Sequence, residues 1–417
     1  MQIRLCAAVA AAVLGTGLIT VPATAAPEPL KEGESQMVAY SFKPGMIKAG
    51  LTAKDNAALS RFDAVLTVPK TPGRHPVAVI VHGSYANCVW YGHGKQIAED
   101  ASTVAWPEAC GTKKPSERNN FSSGQDYVRH EAGFAYLAKH LADRGIATVA
   151  IDVATKDARW TGSISREKAQ RHLVEEHLRL LRDLDAGKDH GIKLPSSLKG
   201  RLDLSRTALV GHSSGATWTA EQWNQGSLPG LKAAVALQPA VLPSLRITKA
   251  ATPIMYLGSE CDEQAPIAQV AEYAADAAKH APNAPIVFGT AGHTTHAGLV
   301  GGLDSHKIGM VRVVKTPNCS DNKLLPKSTM RGQNAQVIGD FLTKALTGST
   351  DYSFGIAEKS PVQMKAISSA AKVSTRKVDK LPQDVSARSV SFQKIDEQFL
   401  PPLPAGVKIR TSDLFRD

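Results

Sequence analysis

Long hydrophobic runs are missing from this 417-residue chain outside its extreme N-terminus. No such run reaches the roughly 18 residues that a membrane-spanning helix needs, so we expect no stable insertion into a membrane. Internal repeats are also missing. The net charge is +11, but the basic residues are scattered and no basic module with interleaved aromatics occurs. This pattern predicts a solvated surface and no nucleic-acid partner.

The N-terminus is the exception, because it has the pattern of an export signal. Arg4 gives a positive start, residues 6–19 are almost wholly apolar, and residues 23–25 offer small side chains to a signal peptidase. The run is too short for a bilayer crossing and has no stop-transfer flank. We expect residues 1–26 to be a signal peptide and the protein to be secreted, either extracellular or periplasmic.

Cysteine is scarce, with five residues in the chain. Without Cys6, which lies in the signal, the four that remain are Cys88, Cys110, Cys261 and Cys319. An even number in an oxidising compartment predicts disulfides, and proximity favours 88–110 and 261–319 among three possible connectivities. A free buried thiol at 261 is the alternative. No C-x₂-C spacing occurs, which disfavours a zinc site held by these cysteines. We expect no metal and no cofactor.

What is present is the composition of a folded protein, with 43% hydrophobic and 21% charged residues, 33 Gly and 24 Pro. That excludes a fibrous or wholly disordered chain, and the length suits one catalytic domain with residues to spare. We expect a monomer.

Short apolar runs alternate with helical periodicity, which predicts a mostly parallel sheet flanked by helices. Residues 62–68 alternate apolar and polar, as an antiparallel edge strand would. The other predicted strands are 75–81, 146–153, 207–210, 233–237, 253–257 and 285–288. The predicted helices are 126–143, 166–184, 216–225, 267–279 and 333–346.

The domain limits follow from this array. Residues 27–60 are read as a lead-in, 61–348 as the catalytic domain, and 349–417 as a C-terminal extension. The extension has little periodicity and a proline-rich stretch at 399–406. We expect it to be partly disordered, the alternatives being one or two strands on the domain or a small attachment element. A chain ending near Gly348 is then expected to fold.

The segment 211–215 (GHSSG) fits the pattern G-x-S-x-G, between the strand 207–210 and a helix-compatible stretch. A strand–turn–helix setting is what a nucleophile elbow requires, so Ser213 is the candidate nucleophile. The chain 82–84 (HGS) ends an earlier strand. We expect backbone N–H groups of Ser84 and Ser214 to form an oxyanion hole, with His82 bracing the loop.

The acid and base should follow the serine in the chain. Asp262, in the turn after the strand 253–257, is the candidate acid, with Glu260 as its alternative. His293, just after the strand 285–288, is the candidate base, with His296 as its alternative. A metal pair formed by these two histidines is disfavoured, because no carboxylate lies near them in sequence. The order serine, aspartate, histidine is one known triad order.

These motifs resemble those of secreted α/β-hydrolases over roughly residues 60 to 347. The matching segments are 79–84 (VIVHGS), 141–145 (LADRG), 203–215 (DLSRTALVGHSSG), 252–262 (TPIMYLGSECD) and 288–293 (FGTAGH). The layout is similar to secreted esterases of the lipase, cutinase-like and dienelactone-hydrolase-like groups. It departs from many of them at Ala216, where a second glycine is common, and in the insertion 85–125.

The resemblance implies an α/β-hydrolase fold and hydrolysis through an acyl-enzyme on Ser213. We expect the substrate to be a carboxylic ester, in an open acyl pocket with the insertion 85–125 as one wall. The short link between the strands 233–237 and 253–257 predicts no large cap domain. A peptidase or amidase, and a non-catalytic binding protein on the same scaffold, are the alternatives.

Overall fold

In a computed structural model of this protein, short buried apolar segments form the central strands. The structure describes residues 30–48, 57–84, 88–89, 103–104, 126–153, 165–240, 250–262, 264–301, 317–320, 322–385 and 392–402. The expected signal peptide and Cys110 lie outside these residues, as does most of the insertion 85–125.

The strands are, in chain order, β1 (Ser35–Lys48), β2 (Ala57–Pro69), β3 (His75–Val81), β4 (Cys88–Val89), β5 (Thr103–Val104), β6 (Asp126–Val128), β7 (Ala147–Ile151), β8 (Leu202–His212), β9 (Leu231–Leu237), β10 (Ile254–Ser259), β11 (Ile286–Ala291), β12 (Asp351–Ala357), β13 (Val362–Ala366), β14 (Lys372–Val378) and β15 (Phe392–Ile395). The described helices are α1 (Ala135–Asp143), α2 (Arg166–Asp185), α3 (Ser214–Gln225), α4 (Ile267–His280) and α5 (Lys327–Leu346). Within the described residues, none of these helices is both long and apolar enough to span a bilayer.

Ten of the strands form one sheet in the order β13-β11-β10-β9-β8-β3-β7-β2-β1-β15. Its centre, from β11 to β7, is parallel throughout. The expected mostly parallel sheet is confirmed. Because parallel strands share a direction, the loops that follow β3, β8, β10 and β11 leave the same edge of the sheet.

Helices cover both faces of the sheet. On one face, α1 and α5 pack on inward side chains such as Ile80 and Val210. On the other, α2 packs on Val79 and Leu209, while α3 and α4 pack on Ala236 and Tyr256. Successive residues of one strand thus pack against helices on opposite faces of the sheet, as the two-residue period of a strand requires. The central strands are therefore buried on both sides, which fixes the ends where the site forms.

Two local predictions were wrong. The helix expected over 126–143 begins at Ala135, after a short 3-10 turn, and 126–128 is strand β6, paired with β4 and β5. The strand expected at the sheet edge is β2, which lies inside the sheet between β7 and β1. The lead-in supplies β1, and its long antiparallel pairing covers the polar backbone that an edge strand would expose.

The C-terminal extension differs from the expected partial disorder over its described residues. Its strand β13 pairs antiparallel with β11 at one edge of the large sheet, and β15 pairs with β1 at the other. Tyr352 and Phe354 of β12 are fully buried, and Phe399 stacks on Phe62 with ring centroids 4.7 Å apart. The limits expected at 61 and 348 therefore cut through one continuous sheet, because its edge strands come from outside them.

Truncation after Gly348 is consequently expected to destabilise the protein. It removes buried Tyr352, Phe354 and Phe399, and each such side chain contributes about 1.5–3 kcal/mol. Together with two lost edge strands, this approaches the roughly 5–15 kcal/mol net stability of a domain. Soluble yield and thermal unfolding measure the effect, and a chain ending at Pro402, which keeps these contacts, is the control. A truncated protein with an unchanged melting temperature would contradict the packing described above.

Candidate functional site: a serine elbow facing a buried Asp–His pair

The turn between β8 and α3 has the geometry of a nucleophile elbow. Ser213, at its apex, has a positive φ of 56° with ψ −126°, a conformation that is unfavourable for a residue other than glycine. Its N–H donates to Leu237 O at 3.0 Å, and its carbonyl accepts from Ala216 N at 2.9 Å. The elbow is therefore held by the neighbouring strand on one side and by the new helix on the other.

Both glycines of the motif are needed for close backbone approach. A Cβ at Gly211 would lie 2.2 Å from Gly215 O, and a Cβ at Gly215 would lie 2.5 Å from His82 O. Neither distance is compatible with a side chain. The second contact is with the strand end that carries the expected oxyanion loop, so glycine at 215 lets the elbow and that loop meet.

The two residues expected to form the oxyanion hole lie side by side. The hydroxyls of Ser84 and Ser214 are 2.9 Å apart. Ser214 is the first residue of α3, where backbone N–H groups have no acceptor within the helix. His82 braces the loop, because its Nδ1 donates to Gly83 O at 2.7 Å and its Nε2 accepts from Val153 N at 2.9 Å.

Asp262 is fully buried beyond the end of β10, and each of its two carboxylate oxygens has its own partners. Oδ1 accepts from Gln264 N and Ala265 N, both at 2.9 Å. Oδ2 accepts from His296 Nδ1 at 2.7 Å. The backbone donors hold the carboxylate in one orientation and leave Oδ2 for an imidazole.

His296 is the imidazole that Asp262 holds. It is fully buried, and because Nδ1 donates to the carboxylate, Nε2 carries the lone pair of the neutral ring. Nε2 has no hydrogen-bond partner among the described residues. The ring also lies against His212, the residue before the elbow serine, with centroids 4.8 Å apart.

The structure does not bring His293 to Asp262. The His293 imidazole instead donates from Nδ1 to Asn318 O at 2.9 Å. Its backbone N–H donates to Glu260 Oε2 at 3.1 Å. Glu260, the alternative acid, also accepts from Asn318 Nδ2 at 3.0 Å. His293, Glu260 and Asn318 therefore form a polar clamp between the loops after β10 and β11, and the carboxylate–imidazole pair is Asp262–His296.

A disulfide reinforces this clamp. Cys261 and Cys319 are bonded, with Cα atoms 5.4 Å apart, which confirms the pairing predicted for them. Cys261 precedes Asp262, and Cys319 follows Asn318. The acid turn is thus covalently tied to the segment that accepts the His293 hydrogen bond. The pairing predicted for Cys88 with Cys110 lies outside the described residues.

Loss of this disulfide should lower thermal stability. It closes a loop with a sequence separation of 58, for which chain entropy gives at most about 4 kcal/mol. We expect activity to fall at temperatures where circular dichroism still shows a folded backbone, since Asp262 is one residue away. Measuring both for Cys261→Ala/Cys319→Ala against the wild type tests this. An unchanged melting temperature in the double variant, or a Cys261 peptide of the wild type that is alkylated without reductant, would contradict it.

A buried ionic cluster lies at the same edge of the sheet. Asp63 pairs with Arg61 and lies 3.6 Å from Arg129, which is 3.5 Å from Glu131. Burial raises the pKa of Glu131 to about 8, and the neighbouring Asp152 carboxylate adds to the rise. The charges of Arg61, Asp63 and Arg129 offset part of the cost of burying one another, and their contacts tie β2 to the segment around residue 129. Among the described residues, no group of three His, Cys, Asp or Glu is arranged to hold a metal ion.

A mostly parallel sheet flanked by helices, with an elbow serine and a buried Asp–His pair after its central strands, is the arrangement of the α/β-hydrolase fold. Comparison with known proteins agrees. Cutinase 1 of Thermobifida cellulosilytica is 28% identical over 158 residues, which cover 37% of this chain and 53% of that protein. A cutinase of Thermobifida fusca (strain YX) is 28% identical over 158 residues, covering 37% and 46%. Cutinase est1 of Thermobifida alba is 26% identical over 162 residues, covering 38% and 48%.

The chain spans about half the length of the curated relatives it matches. No protein-family model matches it. The resemblance to the α/β-hydrolases is confirmed, and a cutinase-like esterase was among the groups that the layout resembles.

Sequence reasoning missed two polar residues of this region. Asn318 closes the clamp on His293 but lies far along the chain, with no motif to mark it. Gln238, after β9, bonds to residues beside the serine, the acid and the base. Its signal would have been a polar residue ending an otherwise apolar strand at the edge where the other site residues gather.

Proposed function

We propose that this protein is a secreted serine hydrolase that cleaves carboxylic esters through an acyl-enzyme on Ser213. The observation that carries the proposal is the buried Asp262–His296 pair, whose imidazole presents an unpartnered Nε2 beside the elbow. An imidazole oriented by a carboxylate, with its second nitrogen free to accept, is what a serine nucleophile requires as a base.

The base in this proposal is His296, in place of the His293 favoured by the sequence. His296 Nε2 takes the proton of the Ser213 hydroxyl as Oγ attacks the ester carbonyl, and returns it to the leaving alcohol. Water, whose proton His296 Nε2 accepts, then attacks the acyl-enzyme; the bond to Ser213 Oγ breaks, the carboxylic acid leaves, and the proton returns to Oγ. Asp262 keeps the proton on Nδ1 and stabilises the imidazolium. His293 has a different part, holding the base loop against Glu260 and the segment around Asn318.

The oxyanion that forms during attack is assigned to the N–H groups of Ser84 and Ser214. Each such donor contributes about 3 kcal/mol to the stability of the transition state. The contact between the two hydroxyls and the His82 bracing support this assignment, because they fix the distance between the loops that carry the donors. Secretion is supported by the Cys261–Cys319 disulfide, which suits an oxidising compartment.

A substrate screen tests the reaction class. p-Nitrophenyl esters of increasing chain length are compared with peptide p-nitroanilides, using the full mature chain and Ser213→Ala as the blank. Turnover of esters with little or none of the anilides supports the proposal. Faster anilide cleavage would favour a peptidase or amidase, and no turnover of either would favour a non-catalytic binding protein.

A further inference from the structure

Gln238 follows β9 and has an unusual backbone for its residue type. It is fully buried, and its φ is +49°. Positive φ is uncommon outside glycine. Among the described residues, the three non-glycine positions that have it are Ser213, Gln238 and His293. All three lie at the candidate site, and strained backbone concentrates at functional sites.

The Gln238 amide makes three hydrogen bonds to three different segments. Oε1 accepts from His212 Nε2 at 2.7 Å. Nε2 donates to Thr295 O at 3.1 Å and to the Ser259 hydroxyl. The backbone N–H also donates to Leu257 O in β10 at 2.7 Å. One side chain therefore connects the ends of β8, β10 and β11 from its own position after β9.

Each partner is next to, or close to, one member of the proposed triad. His212 precedes Ser213, Thr295 precedes His296, and Ser259 begins the turn that ends at Asp262. The two histidine rings are also in contact, so a shift of either loop is transmitted to the other. A displacement of the Gln238 amide would accordingly alter the position of the nucleophile, the base and the acid together.

We propose that Gln238 is a positioning residue, which holds the serine elbow, the acid turn and the base loop in register for proton transfer between Ser213 and His296. This inference rests on the proposed function. Glutamine suits the task because its amide has an acceptor for one imidazole N–H and two donors for the hydroxyl and the carbonyl. The left-handed backbone turns that amide toward all three partners.

The amide also bonds to the ring that lies against the base. Because Oε1 can only accept, it bonds to a proton on His212 Nε2. Burial first, and then the positive charge that a protonated His296 would carry nearby, hold the pKa of His212 well below its ordinary value, although the hydrogen bonds to Gln238 and to the His296 backbone act in the opposite direction. His212 therefore stays neutral beside the base, so it does not oppose the positive charge that His296 acquires during the reaction.

Two variants of the full mature chain test the proposal. Gln238→Met keeps the length of the side chain but removes the three hydrogen bonds of the amide. Gln238→Gly removes the side chain and accepts positive φ without strain, which keeps the test valid if the methionine variant folds poorly. The matched control is Gln333→Met, a buried glutamine whose amide bridges α5 and β12 through Gly355 O and Ala357 N.

We expect kcat for p-nitrophenyl butyrate to fall about 10- to 100-fold in both Gln238 variants, because a misplacement of about 1 Å has that effect. KM should stay within about twofold, since the interaction serves the transition state and not ester binding. The Gln333 variant should lose thermal stability with kcat unchanged. A kcat within twofold of the wild type in both Gln238 variants would overturn the proposal, as would parallel losses in the control.

A second readout separates this proposal from the proposed function. The proton that His296 Nδ1 shares with Asp262 gives a strongly downfield resonance in the proton NMR spectrum. We expect it in the wild type and expect its loss or broadening in both Gln238 variants. If wild type turns over no ester, the proposed function fails, and the resonance still decides about Gln238: its persistence in both variants overturns the positioning role.

Discussion

Replacing Ser213 by alanine is expected to lower kcat for ester hydrolysis by about 10⁴- to 10⁶-fold, because the members of a triad act as a unit and the nucleophile has no substitute. The fold should be unaffected. The Ser213 backbone is held by Leu237 and Ala216, and neither hydrogen bond uses the hydroxyl. Initial rates with p-nitrophenyl butyrate, measured together with thermal unfolding, separate loss of chemistry from loss of structure.

Ser205→Ala is the matched control for this variant. Ser205 lies on the same strand β8, is exposed, and bonds to Asp203 at the opposite end from the elbow. We expect it to have wild-type activity. Residual hydrolysis by Ser213→Ala above about one-hundredth of the wild-type rate would show that another group is the nucleophile, since the oxyanion hole alone leaves far less.

The second large effect concerns the two histidines after β11. His296→Ala should lower kcat by about 10⁴- to 10⁶-fold, because it removes the proton acceptor and leaves the buried Asp262 carboxylate without its imidazole partner. His293→Asn should stay within about tenfold of the wild type, since asparagine tolerates the left-handed backbone at this position, φ +53°, and leaves the backbone bond to Glu260 intact.

Steady-state kinetics on both variants decide between the histidines. The reverse ranking, with His293→Asn inactive and His296→Ala active, would restore the base assignment made from sequence and would leave the Asp262–His296 pair without a catalytic part.

Asp262→Asn provides a further check, because an amide in that position would favour the wrong imidazole tautomer. We expect a loss of up to about 10⁴-fold.

Much of the sheet could be predicted from sequence, because its central strands are short apolar runs between helices with clear periodicity. The segment 75–81 became β3, and 166–184 became nearly the whole of α2. The elbow could also be predicted, because the G-x-S-x-G motif lies between a predicted strand and a predicted helix. The motif marks the glycines at 211 and 215. The reason for them, close contact with backbone atoms of other residues, is visible only in the folded structure.

The choice between His293 and His296 could not be made from sequence. Both histidines follow β11 within five residues, and both lie in polar, glycine-containing surroundings. What separates them is a single left-handed residue at 293, which directs one ring to Asn318 while the chain continues into the buried turn that holds the other. Such a turn depends on tertiary contacts with the acid loop and with the segment 317–320.

The strands at the two edges of the sheet could not be assigned from sequence either. Strands β1 and β15 lie far apart in the chain, and β13 (VQMKA) alternates apolar and polar residues over only five positions, too few to mark it as a strand. Its stability comes from pairing with β11 and from contacts such as Ile367 N to Ile286 O at 2.9 Å. Sequence patterns report side chains, whereas these strands are held largely by backbone pairing with partners that are distant in sequence.

The central claim, that Ser213 is a nucleophile activated by His296, is tested most directly by covalent labelling. The chain from residue 27 to residue 417 is treated with a fluorophosphonate, digested, and mapped by mass spectrometry. We expect one adduct, on the peptide that carries Ser213, with labelling retained in His293→Asn and lost in Ser213→Ala and His296→Ala. A folded wild-type protein that stays unlabelled, or an adduct that maps to another residue, would contradict it.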